Sequence, residues 1–437
     1  MRKLRRYTRD HAVVVGGGIG GLLAAHALAS RFDRVTVLEA SHYPRESISP
    51  VPATRRGVPQ SRCVHLLMAA GVAAFDELMR GWSEGLIALG VGPFDACADA
   101  VLSSSAGRLL RAPSGITAYA CSRALLESML RRRLAGKQSV QVSEGQKVLG
   151  LLSSPRGESV IGVLTAERRR AGEALLLADL VVDASGTGTR LPRWIARLPN
   201  GLRSQVQKTV VESGMQYVSR WFRIDRGDAP GWRCLSIAPT AGTGLRSAMM
   251  LRAEQDLWGV VLLAPAGQPL PADDVAFLDF IAGLGDGELR QALTLARPAS
   301  PIHHYGATSS RMMHYERLEA WPAGLVAIGD SVCTFDPYFG LGMTAAARGA
   351  VLLATYLDRQ RGGTITGLEF QKDLAILNAQ PWHLSTGRDA DGRLLVQDSA
   401  YLGRLFERAT SNPGVVHALL AVQHLLRPAE TLQEVAV

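Results

Sequence analysis

Gly16-x-Gly18-x-x-Gly21 sits between a continuous apolar run, His11 to Val15, and an alanine- and leucine-rich stretch, Leu22 to Arg31. A buried strand that breaks into a glycine turn and then a helix is a tightly restricted arrangement. The first glycine permits the turn, the second lets backbone approach a pyrophosphate, and the third lets helix and strand pack closely. The helix N-terminus then faces the phosphates. A second strand, Arg34 to Leu38, ends in Glu39. A carboxylate there suits ribose hydroxyls and repels a 2′-phosphate, so FAD or NAD is expected rather than NADP. Ile19 and Gly20 lie inside the same turn and join the expected contacts.

The N-terminus is basic before it becomes apolar, which is also how a secretory signal begins. The glycine cluster would spoil a signal helix, so a cytoplasmic location is expected. No run of about 20 apolar residues suggests a transmembrane span. Five widely spaced cysteines contain no CxxC pair, so neither a zinc site nor a disulfide framework is expected. The formal net charge is +9, and nearly all the positive charge is arginine. Short runs such as Arg131 to Arg133 and Arg168 to Arg170 fall where a helix end and a hairpin tip would be solvated. With no recognition motif beside them, no nucleic-acid partner is expected. His303-His304 is a tempting metal pair, but neighbours on a strand point to opposite faces. No metal site is expected.

A distant segment separates FAD from NAD. Leu325 to Ile328 is apolar and leads to Gly329-Asp330. Asp336-Pro337-Tyr338-Phe339-Gly340-Leu341-Gly342-Met343 follows and opens an alanine-rich helix, Met343 to Leu357. This segment resembles the second FAD motif of the class A flavoprotein monooxygenases, which share the para-hydroxybenzoate hydroxylase fold. The resemblance implies that Asp330 contacts the ribityl or ribose region and that Gly340, Gly342 and Met343 start a helix against the flavin's pyrimidine side. A helix dipole there would stabilise the negative charge of reduced flavin.

Other stretches look like bacterial natural-product oxidases of this fold, among them flavin epoxidases. They are Arg56-Gly57-Val58-Pro59-Gln60 with His65, Cys121 to Leu126, Asp183-Ala184-Ser185-Gly186, Glu212 to Met215, and Trp382 with Asp389. The resemblance implies that Arg62 and Arg123 reach the FAD phosphates or ribityl chain. It also implies that Val148, Asp183 and Gly186 lie at the cofactor and that Gln60 and His65 approach it.

The fold expected is α/β (α+β). A Rossmann-like FAD-binding domain spans 9–195 and 301–360, a mixed or antiparallel β-sheet substrate domain is inserted at 196–300, and helices fill 361–437. Val64 to Leu78 reads as a helix and Leu175 to Val182 as one strand. Met215 to Phe222 and Trp258 to Leu263 read as strands of the second sheet. Met215, Tyr217, Ser219 and Trp221 would share a face, with Tyr338 and Phe339 in the turn opposite. All six are expected beside substrate or flavin. Helix Val415 to Leu426 would cap that pocket, pack as core or meet a membrane surface.

The function implied is an FAD-dependent monooxygenase, an epoxidase or hydroxylase working through a flavin C4a-hydroperoxide. Its substrate would be a large hydrophobic intermediate such as a polyketide or terpenoid. The cofactor carries the chemistry, so no separate catalytic residue is assigned. NAD(P)H would be the reductant and O2 the co-substrate. No second dinucleotide unit is evident, so NAD(P)H binds transiently or a flavin reductase supplies electrons. The Trp-x-Trp-x-Ile-Pro signature of flavin halogenases is absent. The alternative is a cyclase of the same fold in which FAD is redox-silent.

Overall fold

The computed structural model describes residues 9–44, 52–55, 57–167, 172–199, 205–306, 308–360, 363, 365–393 and 399–435. Arg56 and the Arg168–Arg170 run lie outside them.

A five-stranded parallel sheet forms the base. Its order is Leu325–Ala327, Leu180–Asp183, Arg9–Val15, Phe32–Glu39 and Val140–Glu144. Parallel strands are covered on both faces, which is why they read as unbroken apolar runs. Ala12, Val13, Val14, Leu180, Val181, Val182, Leu325, Val326 and Ala327 are all fully buried here. Helix Ile19–Leu28 is buried almost all round, between this sheet and helices Arg123–Ala135 and Leu341–Arg359. Its run of alanine and leucine suits a helix with no solvent face.

Two readings of the sequence are corrected. Val64–Leu67 is a strand, and the helix begins only at Ala69. Val64-His65-Leu66-Leu67 pairs antiparallel with Thr117–Ser122, and that tertiary pairing overrides the local helical pattern. Leu175 to Val182 divides into Glu173–Leu177 and Leu180–Asp183, which belong to different sheets. The first pairs with Val160–Glu167 in a three-stranded antiparallel excursion; the second returns to the parallel sheet.

The largest sheet is mixed. Met215–Arg223, Leu257–Pro265, Ser247–Arg252 and Cys234–Ile237 run antiparallel in that order. Ala100–Ser104 then joins parallel to Cys234–Ile237. His303–Tyr305 pairs with Met215–Arg223. Strand Val64–Leu67 packs across this sheet at Gly259, where an added Cβ would lie 2.3 Å from Val64 Cβ. Gly259→Ala therefore overpacks a tight crossing. Its expected cost is about 1–3 kcal/mol, read as a lowered urea midpoint with an unchanged m-value.

The C-terminal helices pack as core. Val415, Val416, Leu420 and Ala421 of helix Pro413–Gln423 join Leu405, Ala409, Ala96, Cys97 and Ile116. Among the described residues, no helix is long and apolar enough to cross a membrane. The chain beyond this helix holds the start of helix Ala69–Leu78. Ala69 N–H donates to His424 Nδ1 at 3.2 Å, and Ala70 N–H to His424 O at 3.3 Å. This supplies the caps that Met68 at the helix start cannot. Burial lowers the His424 imidazole to about 4, and His26, also buried, to about 4.

Both rings are therefore neutral in the folded chain and near 6.5 when unfolded. Their contribution is complete above about pH 6.5 and is lost as pH falls toward about 4, because the unfolded chain binds the protons first. The unfolding midpoint should drop steadily between pH 7 and 5. His424→Ala should flatten part of that slope while costing about 1 kcal/mol at pH 7 through the lost cap.

Candidate active site

A cavity of about 1040 Å³ runs from the parallel sheet to the large mixed sheet. That is at or above the upper end of ordinary single-ligand pockets. Gly16, Gly18, Ile19, Gly20 and Glu39 form one end. Gly329, Asp330, Gly340, Leu341, Gly342 and Met343 form the middle. Tyr217, Met249, Val261 and Leu263 form the far wall.

The first end is built by glycine. Gly16 has φ +100°, a conformation that favours glycine. An added Cβ on Gly16 would lie 2.5 Å from Ala184 O, and one on Gly21 would lie 1.9 Å from Gly16 O. These contacts press turn, helix and the end of strand Leu180–Asp183 together. Gly21 therefore shapes the cradle from behind and is not part of its wall. Helix Ile19–Leu28 has no side-chain cap and no acidic residue in its first turn. Its free N–H groups are left to a ligand.

Glu39 is held from every side. Oε2 accepts from Gly17 N–H at 2.7 Å and pairs with Arg55 at 2.7 Å. Oε1 accepts from Ser41 N–H and Ser41 Oγ, both at 2.7 Å. Burial opposes its ionisation, but Arg55 and these donors outweigh it and hold the carboxyl below its usual range. Arg55 continues to Glu127 at 2.9 Å, and Arg123 meets Glu127 from the other side at 2.9 Å. The two arginines are thus matched by two carboxylates. Positive potential beyond these pairs comes from the helix N-terminal N–H groups and from Arg131, which stacks on Tyr43. Tyr43 lies between the Arg55 and Arg131 guanidiniums, at 4.3 and 4.2 Å from its ring centre, and donates to Gly17 O at 2.6 Å.

The second motif meets the first directly. A Cβ on Gly20 would lie 3.8 Å from Gly329 Cα and 4.0 Å from Ala346 Cβ. Gly340 has φ +65° and starts helix Leu341–Arg359, which again has no side-chain cap and no acid in its first turn. A Cβ on Gly342 would meet nothing within 4 Å, so this helix start is open toward the cavity. Asp330 is half-buried in the wall. Burial raises its carboxyl, against the lowering effect of Arg123 and Arg311. Two uncapped helix starts and a glycine cradle at one end of a long cavity would fit FAD.

The expected residues divide by position. Gly16, Gly18, Ile19, Gly20, Glu39, Arg123, Gly186, Asp330, Gly340, Gly342 and Met343 line the cavity, as do Gln60, His65, Tyr217 and Tyr338. Gly21, Arg62, Val148 and Asp183 stand outside its wall, as do Met215, Ser219, Trp221 and Phe339. Val148 is core. Asp183 is buried and accepts from Ser185 N–H at 3.1 Å, Ser185 Oγ at 2.6 Å and Thr189 Oγ1 at 2.5 Å. It therefore shapes the loop that carries Gly186. The Arg62 side chain is exposed. Its carbonyl accepts from Trp221 Nε1 at 2.9 Å and Ser219 Oγ at 3.4 Å. Ser219 and Trp221 thus brace the Pro59–Arg62 loop from beneath. Phe339 packs with Met68, Leu341 and Leu425.

His65 Nδ1 lies 3.1 Å from Cys63 O. Burial, with Arg123 nearby, lowers its imidazole to about 3, so it faces the cavity neutral. Sequence reading passed over Arg55, one residue before the quoted Arg56-Gly57 stretch. It also gave no role to Thr308, His304 or Asp336, all in the cavity wall. Arg55 had no local signal, since its partners lie 16 and 72 residues away.

Residues 14–71 match the family model of an NAD(P)-binding Rossmann-like domain. Protein Rv3254 of Mycobacterium tuberculosis is 34% identical over 355 residues, covering 77% of this chain and 70% of that protein. The FAD-dependent monooxygenase atnJ of Arthrinium sp. is 24% identical over 363 residues, covering 80% of this chain and 76% of that one. Among solved structures, the flavin-dependent brominase Bmp2 superimposes with a TM-score of 0.64 at 17% identity, over 95% of this chain and 94% of that one. At that identity the likeness is one of fold alone. With both FAD motifs joined in one cavity and relatives matched along most of its length, the chain belongs to the class A FAD-dependent monooxygenases, the family of the para-hydroxybenzoate hydroxylase fold.

Proposed function

We propose that this monooxygenase epoxidises or hydroxylates a large hydrophobic intermediate of polyketide or terpenoid type. One observation carries the reading. Beyond the cofactor cradle the cavity continues between the two sheets against Leu66, Met249, Val261, Leu263, Phe335 and Tyr338. A long apolar substrate would bury its surface there, worth about 25 cal/mol per Å² of apolar area.

When bound, the flavin supplies electrophilic oxygen transfer from O2 after reduction by NAD(P)H. The chain's part is to bind and orient. Gly16 to Gly20 with Arg55, Arg123 and Glu39 would hold the dinucleotide. The start of helix Leu341–Arg359 would place its dipole at the ring system, favouring the reduced, more negative form. The apolar wall would exclude water from the reacting face.

The test uses FAD-loaded protein, a candidate polyene and 18O2. One 18O atom in the product, dependent on NAD(P)H, is expected. Conversion that persists without oxygen or reductant, giving an isomer of the substrate, would sink the oxygenase reading in favour of a redox-silent cyclase. Anaerobic mixing with NADPH tests the electron route: fast bleaching means direct reduction, slow bleaching a separate flavin reductase or a redox-silent flavin.

A further inference from the structure

One patch of the apolar part of the cavity is polar, and all its protons point one way. Asp336 is 4% exposed and stands just before the Pro337–Phe339 turn. Among the described residues its carboxylate is held by hydrogen-bond donors and by no arginine, lysine or histidine. Tyr217 donates its phenol proton to Oδ1. Tyr338 N–H donates to the same oxygen at 2.9 Å. Thr308 Oγ1 donates to Oδ2 at 3.1 Å. Thr308 Oγ1 also lies 3.5 Å from the Tyr217 hydroxyl and 3.0 Å from Ser213 Oγ, but the carboxylate at 3.1 Å is the strongest acceptor in reach and takes its proton, while Ser213 Oγ donates to Thr308 O at 2.9 Å.

A hydroxyl has one proton and two lone pairs. With their protons committed to Asp336, Tyr217 and Thr308 have only lone pairs left to offer. Tyr217, Thr308 and Asp336 all line the cavity. Burial, and then Asp336 itself, raise the Tyr217 phenol far above its ordinary value, so it keeps its proton at any working pH.

We propose that Asp336, Tyr217 and Thr308 form an acceptor-only patch that selects substrates carrying a hydroxyl group, and anchors that hydroxyl beside the Gly340–Gly342 turn. This rests on the hydrophobic-substrate reading and adds the polar handle that fixes the substrate's direction. An isolated apolar cavity holds a long chain in several registers, since burial is non-directional. One hydrogen bond at a fixed point removes that freedom. A substrate lacking the hydroxyl would leave the patch desolvated and unpaired. Asp336 and Thr308 also belong to different strands and turns from Tyr217, so the anchor forms only where the mixed sheet meets the second FAD motif.

The experiment measures binding, not turnover, by calorimetry on FAD-loaded protein. The probes are farnesol and its methyl ether, which differ by the donor alone. The wild type should bind the alcohol at least about tenfold tighter. Tyr217→Phe removes one acceptor but frees Asp336 Oδ1, a charged one, so the alcohol should stay at least about tenfold ahead. Asp336→Asn keeps the side-chain shape and its acceptor for Tyr338 N–H. Its amide then faces Thr308 Oγ1 and donates to it, which turns that hydroxyl's proton toward the cavity. The preference should then vanish or reverse toward the ether. Equal affinity of the wild type for the two probes, including failure to bind either, would overturn the proposal. So would an alcohol preference that is lost in Tyr217→Phe, or one that is unchanged in Asp336→Asn. The 18O2 experiment fails or succeeds independently, so the two readings are separable.

Discussion

Gly21→Ala should purify without yellow colour and bind added FAD at least about a hundredfold more weakly than the wild type. The added methyl would lie 1.9 Å from Gly16 O and 2.9 Å from Gly16 C, both backbone atoms. No rotamer relieves such a contact. Either the helix retreats from the turn or the turn opens. Gly16 cannot yield easily, because its own φ of +100° and its closeness to Ala184 O fix it in place. The helix start moves, and with it the row of N–H groups that would hold the pyrophosphate. Overpacking should also cost about 1–3 kcal/mol, which a core of this size survives. The informative control is Gly20→Ala. Its methyl would meet Gly329 Cα at 3.8 Å and Ala346 Cβ at 4.0 Å, ordinary contact distances. It should fold normally and hold FAD within about threefold of the wild type. Equal loss in the two variants, by visible absorbance and fluorescence titration, would mean that space in the cradle matters and not the helix position.

That contrast also shows what was legible in the sequence. The cradle could be read because its requirements are local. A positive φ at Gly16 and a close approach at Gly21 each exclude a Cβ, so the spacing is visible in the chain itself. The same holds for Gly340, whose φ of +65° marks the second helix start. Strand Val64–Leu67 was read as helix because only its partner strand, Thr117–Ser122, makes it a strand. The shared face of Met215, Tyr217, Ser219 and Trp221 was a sound inference from alternation. Alternation does not say how far a face reaches into a cavity, and only Tyr217 lines it. The Pro59–Arg62 loop lies over Ser219 and Trp221 and covers them. Asp336 was in plain view beside Pro337. Its partners Tyr217 and Thr308 are 119 and 28 residues away, so no local pattern announced the cluster. Backbone demands are legible; side-chain meetings across elements are not.

Arg55 is the sharpest case of such a meeting, and Arg55→Met should be among the most damaging substitutions in the chain. Arg55 is 5% exposed. It pairs with Glu39 at 2.7 Å and Glu127 at 2.9 Å, and donates to Gly17 O at 3.2 Å and Ser41 Oγ at 3.2 Å. Burial lowers its own pKa, but Glu127, Glu39 and Tyr43 more than reverse that, so it is held charged. Removing it leaves two buried carboxylates facing one guanidinium, that of Arg123. Breaking a buried pair from one side costs about 3–5 kcal/mol. The pH dependence gives this loss a signature. In the wild type Glu39 is held below its usual range. Its contribution is complete above that range and lost only as pH falls through the depressed value. In Arg55→Met, burial without the guanidinium pushes Glu39 up. Protonating Glu39 then relieves the variant as pH falls from 7 toward 5. The stability gap between variant and wild type, measured by urea unfolding without added flavin, should be widest near neutrality and narrow at pH 5. Arg55→Lys should recover only part of it, because an ammonium has no planar fork to span Glu39, Glu127 and Gly17 O together. A gap that is constant with pH would mean that Arg55 acts by packing against Tyr43, 4.3 Å from its guanidinium carbon, and not by charge.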